Sequence, residues 1–419
     1  MPTSNQRSAF RENRMHRLSS GGILPILALA TTLAATPALA QESIKIGVPM
    51  ELSGRFVAYG ASGKRGVEFA TEVYGGKVAG KKIELLVRDI QSESQATISV
   101  FNELVSKEKV NYIIGPIGSP TVAAAIPAWR QGKPIWLVPG SSSTKLEEEV
   151  GGDPEFFHTF PYAYNYHESI AAALKNQLPA GQKVAMIYTD DNYGRTHQPY
   201  AKKYLTDAGF EVVLEEIVRT NAADMNPLLT KIARVKPDVL LGLVQTTDAV
   251  TLAKQIYTRK LPVPYLIGTA ATQLDEWQKA VGTAQEGWVG VTTYLPGLNR
   301  PGNQEFPKLF PPSSEWEAMF VKKYGQEPDF EDAGCYVSAM LLFLAIERAG
   351  GDDKEKVAAE LRKMDIPNTL LGRAKFVSTP SGTKQQAFTD MVVFQRENGK
   401  NVMLFPPGPE TKKIKAVTY

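Results

Sequence analysis

The strongest constraint on how this chain folds is a repeated change of hydrophobic period. Short Val/Ile-rich runs read as strands at 44–49, 83–88, 112–115, 135–138, 184–188, 211–217, 239–244, 265–268 and 288–292. Between them lie segments of roughly 10–17 residues with apolar residues at helical spacing. In 94–108, Ile98, Phe101, Leu104 and Val105 share one face; in 250–259, Leu252, Ile256 and Tyr257 do. Such alternation of strand and helix predicts parallel sheets with helices on both faces. Strands covered on both sides have no polar face, which explains their continuous apolar character.

That many strands crowd a single doubly wound sheet, and the pattern restarts. A first block runs from 43 to about 158 and ends in the aromatic stretch around Phe160-Pro161-Tyr162. A second begins near His167 and runs to about 292. A third, 301–364, reads as mostly helical. The segment 390–405 reads as a hairpin turning at Glu397-Asn398-Gly399-Lys400. The expected organisation is one lobe from 41–159 and 293–385, a second from 160–292 and 386–405, and a Pro- and Lys-rich tail, 406–419, without fixed order. Open α/β sheets bind ligands beyond the carboxyl ends of their strands. Two facing lobes place those ends on opposite walls of one cleft, a geometry suited to hinge closure.

Residues 1–40 read as a removable leader. Arg7, Arg11, Arg14 and Arg17 precede the apolar stretch 23–33, and Ala38-Leu39-Ala40 gives a small-x-small cleavage pattern. The stretch is shorter than the ~20 residues of a membrane anchor. No Cys follows the cleavage point and no Arg-Arg pair precedes the stretch, so neither lipid attachment nor the twin-arginine route is expected. Export from the cytoplasm is expected. Because Glu12 is the only acid in the leader, the +3 charge of the whole chain belongs to it and the remainder is balanced. A balanced chain offers no electrostatic reason for nucleic acid or an anionic membrane as partner. The single cysteine, Cys335, sits in an apolar helical pattern and reads as a small core residue.

Signatures of catalysis are missing from the sequence. His158, His167 and His197 show no metal-binding spacing, and there is no CxxC, so no metal is expected. There is no GxSxG elbow and no Walker-type loop. Gly60-Ala61-Ser62-Gly63 lacks the spacing of a dinucleotide loop. Glu147-Glu148-Glu149 reads as a solvated helix face, and Asp190-Asp191 as a helix cap with a solvated neighbour. No cofactor and no enzymatic activity are expected.

The strand ends carry small hydroxyls, glycines and aromatics instead. Gly115-Pro116-Ile117-Gly118-Ser119-Pro120-Thr121 opens a helix, with Ser119 as its expected cap. Helix N-termini hold carboxylates without a charged side chain. Pro139-Gly140-Ser141-Ser142-Ser143-Thr144 follows the next strand and offers hydroxyl donors beside a glycine. Tyr59, Phe160, Tyr162, Tyr164, Tyr166, Tyr193 and Tyr294 lie near strand ends or crossings, and about half of them are expected to line the cleft.

These residues, with Ile44-Lys45-Ile46-Gly47-Val48, Leu52-Ser53-Gly54, Gly66-Val67-Glu68-Phe69-Ala70 and Asp191-Asn192-Tyr193-Gly194, carry a resemblance. The chain resembles the periplasmic solute-binding proteins of the branched-chain amino acid (Leu/Ile/Val) type of ABC importer, over about residues 43–405. The resemblance implies an α/β type I periplasmic-binding fold, two doubly wound lobes joined by a multi-strand hinge. It implies a ligand carboxylate held at Ser119, Gly140 and Ser142, flanked by Gly118 and Ser141, and covered by the aromatics Tyr59 and Tyr193. Tyr162 stands at the crossing, and Gln245 and Thr246 mark a second-lobe position. The family's acidic ammonium partner aligns with Ala270, which cannot play that role. A buried ammonium without a carboxylate is costly. This departure favours a carboxylate ligand without an α-amine, or an amide, unless Glu331 or Asp332 supplies the charge. The implied partners are a small-molecule ligand and the permease and ATPase subunits of an importer, with a monomeric carrier expected. The alternative is a ligand sensor of the same fold that feeds a regulator or receptor.

Overall fold

Strands that are apolar on both faces need helices on both sides, and the chain arranges them in two parallel sheets. The computed structural model describes residues 43–269, 271–380 and 384–419. The leader expected at 1–40 and the position Ala270 lie outside the described residues. The first lobe is built on β1 (Ser43–Met50), β2 (Lys77–Val78), β3 (Lys81–Asp89), β4 (Tyr112–Ile114), β5 (Ile135–Val138) and β6 (Phe156–His158). The second is built on β7 (Lys183–Thr189), β8 (Glu211–Val218), β9 (Val239–Leu243), β10 (Tyr265–Gly268) and β11 (Trp288–Thr292). The later strands are β12 (Asp365–Thr369), β13 (Gly372–Lys375), β14 (Val377–Ser378), β15 (Lys384–Gln386), β16 (Val392–Glu397) and β17 (Lys400–Phe405).

The first sheet runs β14-β15-β6-β5-β4-β1-β3-β2, and the second β17-β16-β11-β10-β9-β7-β8. β1 lies between β3 and β4, and β7 lies between β8 and β9, with parallel pairing throughout. Each lobe therefore reverses its winding once, between β1 and β4 and between β7 and β9. At such a reversal the loops diverge and leave a crevice at the strand ends. The chain crosses between lobes three times: after β6, after β11 and after β15, which pairs with β6 before β16 joins β11.

The third block is helical, as its pattern suggested. Its helix Phe330–Ala349 is buried from Phe330 to Ile346 and packs along the helix Val57–Tyr74. The approach is close: a Cβ on Gly66 would stand 2.4 Å from the Asp332 carbonyl oxygen. Cys335 is fully buried in this helix.

β16 and β17 form the expected hairpin, and Asn398 and Gly399 both adopt positive φ (52° and 72°). That is the type I′ turn that matches strand twist. Gly399→Ala is expected to cost about 1 kcal/mol of stability, read from urea unfolding, because a Cβ disfavours this backbone region.

Two expectations change. The tail docks on the second lobe: Val417 N donates to Pro264 O (2.8 Å) and Lys415 N to Gln395 Oε1 (2.9 Å), while Ile414 and Val417 pack on the core. Of the acidic run, Glu147 is buried and accepts from the Tyr164 hydroxyl at 3.3 Å, leaving Glu148 and Glu149 solvated.

Candidate functional site

The two winding reversals face each other, and their loops leave a small cavity of about 20 Å³ between them. On the first lobe, β1 runs into Glu51, whose carboxylate accepts from Gly118 N (2.9 Å), from the Thr121 hydroxyl (2.6 Å) and more loosely from Ile117 N. It ties the loop after β4 to the end of β1. Complete burial raises its pKa against these bonds. The helix Ser119–Trp129 is capped by Gly118, so Ser119 is its first helical residue rather than the expected cap. Pro120 fits the first turn because no amide is needed there. The Ser141 hydroxyl donates to Ser119 Oγ at 3.2 Å, and Ser141 holds a positive φ of 60° that turns the loop inward.

On the second lobe, Asp191 caps the helix Asn192–Asp207 by accepting from Tyr193 N and Gly194 N. This cap sets Tyr193 at the cavity, where its hydroxyl donates to Thr269 Oγ1 at 2.6 Å. Asp190 pairs at the surface with Arg195, as the solvated neighbour. Gln245 caps the helix Thr246–Arg259. The returning segment adds a third wall. Asp329 caps the helix Phe330–Ala349 through a reciprocal box with Asp332, and this places Phe330 and Glu331 on the cavity.

Of the residues singled out from sequence, Tyr59, Gly118, Ser119, Ser141, Ser142, Tyr193 and Gln245 line this cavity together. Tyr59 does so from the first turn of the helix Val57–Tyr74, not from a loop. Gly140 stands behind the wall: a Cβ there would meet Ile117 Cγ2 at 2.6 Å, so the residue permits two loops to touch. Tyr162 is not at the cavity. It stacks on His158 with centroids 4.0 Å apart and donates to Gln385 Oε1 at 3.2 Å. Tyr166, one helical turn later, lines the cavity with Phe160. Tyr164 and Tyr294 are core residues. Thr246 lies in an apolar groove between the lobes, beside Arg55, Val250 and Trp277.

Three polar atoms at the cavity are buried without a hydrogen-bond partner: Tyr59 OH, Gln245 Oε1 and Glu331 Oε2. Buried polar groups are ordinarily satisfied, so three together single out this cavity as the candidate site. No Lys or Arg lines the cavity among the described residues. The nearby Arg65 is committed to Asp332 through two bonds of 2.9 Å. Burial, reinforced by Asp329, Glu51 and Asp332, pushes the Glu331 carboxyl well above its usual range.

The lobes are closed on one another. Arg55 Nη2 lies 3.2 Å from Asp191 Oδ2, Ser142 Oγ 2.5 Å from His197 Nε2, and Ser143 Oγ 3.1 Å from Thr196 Oγ1.

Two α/β lobes closed over a small aromatic cavity with unpaired polar groups define a solute-binding protein. The profile of the periplasmic binding protein family matches residues 43–401, and the chain belongs to that family. It is a binding protein, not an enzyme. Among curated relatives, Leu/Ile/Val-binding protein homolog 7 of Brucella suis is 26% identical, over 93% of this chain and 98% of its own. Homolog 8 of the same organism is 25% identical, over 96% and 99%. Among solved structures, a leucine-binding protein from Thermotoga maritima superposes with a TM-score of 0.76 at 23% identity, covering 86% of this chain and 97% of its own. A solute-binding protein of an R. palustris ABC transporter, in complex with benzoate, gives 0.76 at 20% identity, covering 90% and 98%. The fold is therefore the type I periplasmic-binding fold. Proteins of this kind bind small ligands and work with the permease and ATPase components of ABC transporters.

Proposed function

We propose that this protein is the periplasmic substrate-binding component of an ABC importer, exported by the leader 1–40 and acting as a monomer. It closes the lobes 41–159/293–385 and 160–292/386–405 around a small solute with a carboxylate at one end and an ammonium at the other. The observation that carries this reading is the convergence of Tyr59, Gln245 and Glu331, each with an unpaired atom, on one cavity with the Ser119/Ser141/Ser142 wall. Hydroxyls and the helix N-terminus at Ser119 suit a carboxylate. An anion alone leaves Glu331 without a cation in the wall, where burial favours its neutral acid. A zwitterion balances that wall, because its ammonium meets Glu331 and the aromatic faces of Tyr59, Tyr166, Tyr193 and Phe330. In this reading Glu331 takes the role of the acid missing at Ala270. Relatives described as Leu/Ile/Val-binding homologs support the amino acid reading.

Thermal-shift measurement of the leader-free protein against L-leucine, L-phenylalanine, benzoate and isovaleramide tests this. Binding raises the melting temperature by mass action. A rise with an amino acid supports the reading. A rise with benzoate alone sinks the ammonium site, and no rise with any probe sinks the whole assignment. Ser119→Ala and Ser142→Ala are each expected to weaken binding of the responding acid by ~1–2 kcal/mol in calorimetric titration. Unchanged affinity in both removes the carboxylate anchor.

A further inference from the structure

Ser142 does not end its hydrogen bonding at the cavity. Behind it His197 Nε2 lies 2.5 Å from Ser142 Oγ, and His197 Nδ1 lies 2.9 Å from His167 Nε2. Ser142 follows β5 of the first lobe, whereas both histidines belong to helices of the second, Ala163–Gln177 and Asn192–Asp207. The chain of three groups therefore bridges the lobes. All three are buried. Tyr193 lies against the His197 ring at 4.1 Å and Tyr166 meets it edge-on at 5.2 Å; both rings also line the cavity.

The far end of the chain fixes its direction. His167 Nδ1 is buried and has no partner. If His197 Nδ1 carried the proton and donated to His167 Nε2, then His167 Nδ1 would bear an N–H with nothing to receive it. A buried orphan donor is rarer than an under-used acceptor. The opposite polarity leaves only a lone pair unused. His167 Nε2–H then donates to His197 Nδ1, and His197 Nε2–H donates to Ser142 Oγ.

We propose that His197 is a positioning residue: it donates across the lobe boundary to Ser142 and so turns the Ser142 hydroxyl proton toward the cavity. A serine that donated to His197 would have no proton left for a carboxylate. A serine that accepts from His197 keeps its own proton free, and its oxygen is fixed only when the lobes meet. Closure and ligand grip are thereby coupled through one hydroxyl. Depressed basicity of both rings, from burial and for His197 also from His167, agrees with neutral imidazoles in fixed tautomers.

The assignment rests on Ser142 belonging to the binding wall, but its test needs no ligand. Ser143 Oγ and Thr196 Oγ1 lie 3.1 Å apart across the same boundary. A Ser143→Cys/Thr196→Cys pair should therefore oxidise to a disulfide after a shift of roughly 1 Å and hold the lobes closed. Side-chain 15N spectra of the oxidised, histidine-labelled protein then report which ring nitrogen carries each proton, with His167→Gln assigning the pair. The expected result is Nε2-protonated His197 and Nε2-protonated His167. An Nδ1-protonated His197, rapid tautomer averaging, or failure of the disulfide to form overturns the proposal. Because no solute is added, these outcomes stand apart from the ligand screen.

Discussion

Glu331→Gln is expected to weaken binding of a zwitterionic amino acid by about 30- to 1,000-fold, or ~2–4 kcal/mol. The side chain is 2% exposed, and its carboxyl is pushed up by burial and by Asp329, Glu51 and Asp332. Without a cation, burial favours the neutral acid. A ligand ammonium favours the carboxylate, so binding releases a proton wherever the unliganded carboxyl is protonated. Affinity then rises with pH, and the calorimetric enthalpy varies with the ionisation enthalpy of the buffer. Glutamine keeps the shape and a carbonyl acceptor but cannot ionise, so the variant loses both affinity and proton release. Titration of wild type and variant in phosphate and in Tris measures each quantity. Benzoate offers no ammonium, and for it the substitution is expected to be neutral or favourable. An amino acid bound equally by both proteins would refute the role of Glu331.

Much of this site was legible because strand ends are punctuated in the sequence. An apolar run, a Gly/Ser turn and a helix follow in order at 112–121 and 135–144, and that order places Ser119, Ser141 and Ser142 together without any long-range information. The capping pattern at Asp191 did the same for Tyr193. Helix phase was not legible at the first crossing. Tyr162, Tyr164 and Tyr166 alternate in a stretch that only the structure shows to be a cap and a first turn, and that phase sends Tyr166 to the cavity and Tyr162 to His158. β6 was hidden because Phe156-Phe157-His158 is too short and too aromatic to separate from the crossing beside it. β14 and β15 are short and largely polar; β15, Lys384-Gln385-Gln386, pairs parallel to β6 and offers no apolar run to read. Glu331 was visible as an acid in the returning segment, but its choice over Asp332 depends on Arg65, 267 residues away in sequence from Asp332. Glu51 and the Ser142–His197 contact carry no local pattern at all. Each is a pairing between distant segments, and sequence periodicity reports faces, not partners.

His167→Gln is expected to make the protein less sensitive to acid than wild type. Burial lowers the His167 pKa to about 3, against about 6.5 for an exposed imidazole. The folded form therefore excludes a proton that the unfolded chain binds. Stability associated with the neutral ring is fully present above about pH 6.5 and is lost as pH falls through that value toward 3. The full slope is about 1.4 kcal/mol per pH unit, so wild type is expected to lose ~3 kcal/mol relative to the variant between pH 7.5 and 4.5. Absolute stability is a poorer readout, because Glu51 and Glu331, both raised by burial, act in the opposite direction over part of this range. The difference between the two proteins cancels those groups, along with His158, which burial lowers to about 4 in both. Urea unfolding of wild type and His167→Gln at the two pH values supplies the four free energies. Glutamine can still donate to His197 Nδ1, so the variant is expected to be nearly as stable as wild type at pH 7.5 and the more stable of the two at pH 4.5. A gap that does not change with pH would mean that His167 takes up its proton equally in both states, which is incompatible with its sealed position behind the cavity.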